Sequence, residues 1–189
     1  MESIEKLAQI RNELRRIESE IKEKERTILE KGMKLIDMLR EISTIAHNLT
    51  KTLEVNHIEL SEPILINYRD DVTRFFSILK RSSHVTVKSI KSVAFVGNGV
   101  ELMYDDAWGR NSIVLISFDR VKNSKNLLLK FLLVSDVILQ AVVLAVKELI
   151  DKASKYSEKL DKVLNVLNNI ANAIEEALKK SRIMTAVKE

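Results

Sequence analysis

The residues best suited to acid–base or metal chemistry are three histidines, His47, His57 and His84, and no cysteine accompanies them. Two ligands on one helix face need a spacing such as His-x-x-x-His or Glu-x-x-His, and none of the three has it. The paired carboxylates are Asp70-Asp71 and Asp105-Asp106. Neighbouring side chains diverge on a helix and alternate faces on a strand, so neither pair converges on a shared proton. Gly97-Asn98-Gly99 lacks the later glycines and lysine of a phosphate loop and reads as a hairpin turn. No catalytic, cofactor-binding or metal-ligating constellation is expected, and the chain reads as a non-enzymatic protein.

Two features are suited to binding. Arg74, Lys80, Arg81, Lys88 and Lys91 gather with no acid between Asp71 and Glu101, and His84 lies among them. Such a cluster can contact nucleic-acid phosphates. It equally describes a solvated helix end beside an edge strand guarded by lysines. Trp108, the only tryptophan, sits next to Gly109 and Arg110 at an expected hairpin tip. An exposed Trp–Arg pair has the composition of an interface hot spot, and the alternative is a Trp folded back onto its sheet.

The elements that carry these residues are mostly long helices. Leu7, Leu14, Ile21, Ile28, Leu35, Ile42 and Leu49 recur every seven residues, with Ile10, Ile17, Lys24, Lys31, Met38, Ile45 and Thr52 as companions. That repeat predicts a coiled-coil helix over residues 1–52, with Gly32 as a point where it can bend. A second heptad runs unbroken from Leu128 to Met184. One seam holds Leu132, Leu139, Val146, Ala153, Leu160, Leu167, Ile174 and Ser181, and the other includes Val142, Leu149, Tyr156, Val163, Ile170 and Ala177. It predicts one long helix over 123–189, capped by Asn123 or Ser124.

Residues 53–122 form the predicted head. Ser61, Glu62 and Pro63 read as a helix start, giving a helix over about 62–81 with Leu65, Tyr68, Val72, Phe75, Phe76 and Leu79 on one face. The β-branched stretches within 84–121 predict a three-stranded antiparallel meander, covered on both faces. The expected fold class is α+β, mainly α: two long helices as an antiparallel coiled-coil arm on this head.

Composition agrees with that outline. Hydrophobic residues make up 46% and charged residues 31%, with only four glycines and one proline, which suits long helices with charged outer faces. The excess of Lys, Glu and Ile is the habit of proteins from hot-growing sources. The net charge of +4 lies mostly toward the C-terminus and argues little for nucleic acid. The apolar run Leu127–Val146 is interrupted by Lys130, Asp136 and Gln140, which weighs against a membrane span. With no signal-peptide pattern at the start, a cytoplasmic location is expected.

The layout resembles that of prefoldin subunits, with an antiparallel arm and strands between its helices. It also resembles the central-stalk proteins of rotary ATPases, with two long helices and a small head. The resemblance is one of layout and assigns no residue; toward prefoldin it implies a holdase chaperone. The expected function is a protein–protein interaction or scaffold protein that self-associates, with no cofactor. Trp108, Arg110, Leu132, Leu139, Val142 and Val146 are the candidate contact residues. The alternative is a nucleic-acid-associated protein using the basic cluster.

Overall fold

The computed structural model describes residues 2–186 except Tyr68 and His84, with side chains described for residue 6 and for 9–169 outside those two. Leu7, His84 and the seam positions from Ile170 to Met184 are outside the described side chains. The chain is mainly helical with one four-stranded antiparallel sheet. In order it runs α1 (Glu2–Thr52), β1 (Ile58–Leu65), α2 (Asp70–Lys80), β2 (Ser89–Phe95), β3 (Gly99–Asp105), β4 (Asn111–Ser117), α3 (Phe118–Lys122), α4 (Lys125–Leu133) and α5 (Ser135–Ala186). Residues 1–148 and 149–189 form two compact units, and the second contains the greater part of α5.

In the first unit α1 is continuous through Gly32. A Cβ at Gly32 would lie 2.8 Å from Leu132 Cδ1 and 3.3 Å from Leu128 Cδ1. The glycine is a point of close approach between α1 and α4. From there on, Ile36, Leu39, Ser43, Ala46 and Thr50 are buried. Their spacing is that of one helical face.

The sheet has four strands, where three were expected, in the order β1-β2-β3-β4. The extra strand is β1, which takes in the residues expected to start a helix, Ser61, Glu62 and Pro63. Ile58, Leu60 and Ile64 are buried while Glu59 and Glu62 face out, which is closer to a strand's alternation than to a helix face. Pro63 is tolerated because β1 pairs only with β2, and the register shifts between Glu59 and Ile64. Asn67, at φ 48°, then turns the chain into α2. Because α2 starts at Asp70, the expected helix over 62–81 is shorter than predicted, and Leu65 is exposed rather than on its apolar face. Val72, Phe75, Phe76 and Leu79 form the buried face as expected.

Only one face of the sheet is closed along its whole width. Ile58, Ile90, Val93, Val100, Leu102, Tyr104, Val114 and Ile116 are buried. They are paired across the strands, so they share that face. Phe76 meets the Tyr104 ring edge-on at 5.3 Å, and Phe75 meets Phe131 of α4 at 6.0 Å. Side chains of this size stabilise by about 1.5–3 kcal/mol each when fully buried. On the opposite face Ile113 is 46% exposed and Leu115 48%, contrary to the expectation that both faces are covered.

The C-terminal run is not one helix. Ser117 Oγ accepts from Arg120 N–H at the start of α3, and Ser124 Oγ accepts from Leu127 N–H at the start of α4. The chain breaks again at Val134, and α4 and α5 meet at 72°. A straight helix buries one stripe, whereas this bend keeps both Leu128-Phe131 and Val137-Ile138-Ala141 in the core. No single described helix is long and apolar enough to cross a membrane; α4 and the start of α5 meet that measure only together, across the bend. Arg69 fixes the corner, donating to Asp71 at 2.6 Å and to Asp136 at 2.5 Å. Its hydrogen bonds hold both carboxyls below their usual values, against the opposing effect of burial.

Two outcomes follow from this packing. Gly32→Val should destabilise by about 1–3 kcal/mol through overpacking against α4. Combining it with Leu132→Ala should cost less than the two changes added, in a thermal-denaturation cycle. Asp136 has a lowered folded pKa, so its contribution is present above the unfolded value of about 4 and is lost as pH falls through the folded value. Asp136→Asn should therefore lower the melting temperature slightly at neutral pH, and the difference from wild type should vanish in acid. The effect is small because the side chain is 64% exposed.

Candidate interaction surfaces

The β3–β4 turn is built around Asp106. Its Oδ1 accepts from Trp108 N–H and Arg110 N–H, each at 2.9 Å, and its Oδ2 accepts from Arg110 Nε at 2.9 Å. Burial works to raise this carboxyl, and the Arg110 amide, the Arg110 guanidinium and the Trp108 amide together outweigh it, so its pKa is lowered. Gly109 supplies the φ of 75° that the turn requires. Trp108 does not fold back onto the sheet: it is 69% exposed, with the Arg110 guanidinium 5.0 Å from its ring centre. The pair is thus presented on a braced tip, as an aromatic anchor with a stacked cation.

The basic cluster is partly compensated. Lys91 Nζ lies 2.7 Å from Asp105 Oδ2. Lys80 lies over the Tyr104 ring at 5.5 Å and donates to its hydroxyl at 3.3 Å. Arg74 lines a shallow pocket with Asp70, Asp71 and Lys130. Arg81 ends α2 at φ 53°, and Lys88 is exposed on the approach to β2. The five cations are therefore spread over α2, its exit and β2.

Of the candidate residues beyond α3, Val142 is buried in the single chain, and Leu132, Leu139 and Val146 are half-buried. The open apolar side chains in this stretch are Leu133 and Val143. Among the described residues, the longest open stripe lies on α1. Leu14, Ile17, Ile21, Ile28, Met38, Ile42 and Ile45 are all exposed, on the seven-residue repeat. The stripe runs beside the residues that cover the sheet and shares none of them. On α5, Tyr156, Leu160, Val163 and Leu167 are likewise exposed.

A cleft of about 580 Å³ lies between the end of α1 and the sheet, lined by His47, Thr50, Glu54, His57, Phe95 and Glu101 among others. His47 points inward, and its Nδ1 meets Phe95 O at 2.7 Å. A carbonyl can only accept, so Nδ1 carries the proton. Among the described residues no three His, Asp or Glu side chains gather as a metal site. Sequence reasoning found the Trp108 tip and the seven-residue stripes but missed the open face of β4, whose signal is the lack of charge between Asn111 and Ser117. No protein-family model, curated protein or solved structure matches this chain.

Proposed function

We propose that the protein is a non-enzymatic scaffold that self-associates through its helical seams. In this reading the α1 seam of one copy pairs antiparallel with the α5 seam of a second copy as a coiled coil. The observation that carries it is the α1 stripe: exposed apolar residues on a strict seven-residue repeat, on a face that the sheet does not use. Helices this long depend on a partner for such a face.

Charge favours α5 as the partner. Glu13, Glu18, Glu20 and Glu25 flank the α1 seam, so parallel pairing of α1 with itself would oppose Glu13 with Glu18 and Glu20 with Glu25. Lys152 and Lys159 flank the α5 seam and are of opposite sign. Lys24 and Lys31 weaken the middle of the α1 seam, where Gly32 rests against Leu128 and Leu132 of α4. They serve as devices that set the register at a cost in stability.

Sedimentation equilibrium tests the reading. The wild type should associate at micromolar concentration with little dependence on salt, and Leu14→Lys with Ile21→Lys should shift it toward smaller species. Lys24→Ile with Lys31→Ile should strengthen the assembly by ~1–3 kcal/mol through added apolar burial. A monomeric wild type, or association unchanged by the first pair of substitutions, would overturn the proposal. Binding to DNA or RNA that weakens steeply with salt and disappears when Arg74, Arg81 and Lys88 become Glu would replace it with the nucleic-acid alternative.

A further inference from the structure

The two edges of the sheet are unlike. β1 carries Glu59, Glu62, Pro63 and an irregular register, the usual devices that keep an edge from pairing. β4 has none of them. Asn-Ser-Ile-Val-Leu-Ile-Ser from Asn111 to Ser117 holds no charge and no proline, and its register with β3 is unbroken.

The backbone of β4 is also available. Asp106 N–H donates to Arg110 O at 3.0 Å and Phe118 N–H donates to Asn98 O at 2.9 Å, just before and just after the strand. Alternation along an antiparallel ladder then assigns the β3 hydrogen bonds to the even-numbered residues of β4. The amide and carbonyl groups of Ile113 and Leu115 therefore point away from β3. No partner for them is found among the described residues. Their side chains are about half exposed. One short stretch thus offers open hydrogen-bonding groups and open apolar surface together.

The geometry points to β4 as a strand-pairing surface whose occupant is β4 of a second copy, antiparallel, with the two-fold axis at Val114. Val114 is the midpoint of Asn111–Ser117, so this register overlaps the strand with itself along its full length. It sets Ile113 opposite Leu115 of the other copy, both in hydrogen-bonding positions and both on the open face. With no charge in the strand, self-pairing opposes no like charges. It also brings Arg110, just before the strand, near Asp119 of the other copy, just after it; these are of opposite sign, and each already has a partner in its own chain, Asp106 and Arg40. The contact uses no residue of the α1 or α5 seams and stands independently of the scaffold reading.

The absence of cysteine makes a direct test possible. Full-length Ile113→Cys mixed with full-length Leu115→Cys should form a disulfide-linked heterodimer on mild oxidation. Either variant alone should form far less, because like positions sit diagonally, beyond the ~7 Å Cα limit for a disulfide. Both experiments are run in an Ile21→Lys background as well, so that a failed helical seam and a failed edge pairing can be told apart. The mixed cross-link should persist there. Leu115→Lys, with its circular dichroism spectrum unchanged, should weaken dimerisation in that background at least about tenfold. No selective mixed cross-link, or a cross-link lost with Ile21→Lys, would overturn the proposal.

Discussion

The first unit depends on three backbone carbonyls at the β2–β3 turn. Ser43 Oγ donates to Gly99 O at 2.6 Å and His47 Nδ1 to Phe95 O at 2.7 Å, and Thr44 Oγ1 shares its single proton between Arg40 O at 2.9 Å and Gly97 O at 3.2 Å. All three donors belong to little more than one turn of α1, and all three acceptors are at the end of one hairpin. A helix packed on a sheet only by apolar side chains can slide or rotate, and directional hydrogen bonds to the backbone remove that freedom. Gly99 makes the fit possible: a Cβ there would lie 2.5 Å from Ile116 O, so β3 and β4 come together only without one. Once this turn is fixed, the sheet-covering face of α1 is fixed, and so is the direction in which its seven-residue stripe looks out.

That shared helix explains why two periodicities overlap in α1. Gly32, Leu39 and Ala46 follow one line and Ile36, Ser43 and Thr50 another, and both lines turn toward the head. The stripe of Leu14, Ile21, Ile28 and Ile42 lies beside them. The first set starts only at Gly32, so the N-terminal half of the helix carries a single stripe and the C-terminal half carries two. The wider apolar face after Gly32 is visible in the sequence and has this meaning in the structure.

The long helices and the meander were legible because their signals are local: a seven-residue repeat, and β-branched runs divided by Gly97-Asn98-Gly99 and Gly109. The errors came where a local signal met a tertiary need. Ser61-Glu62-Pro63 has the chemistry of a helix start, but Ile58 and Ile64 gain more by pairing with Val93 and Ile90 across the sheet. The repeat through Val134 has no Pro or Gly to mark a break, and the bend arises because Phe131 and Ile138 must both reach the core. Trp108 could not be placed from composition. In the structure Asp106 satisfies the turn's own amides, and the indole stands out from the tip beside the Arg110 guanidinium.

The inequality of the sheet's edges sets a limit on growth. A sheet bare on both sides can be extended without end, one molecule adding to the next, which is how fibres form. Here the β1 side is closed by Pro63, by the shifted register and by outward-facing acids, so a strand added to β4 finds no second site from which to propagate. Strand addition to this sheet is self-terminating. Two sheets paired through β4 end in β1 on both sides, and the pair offers no further edge of the β4 kind.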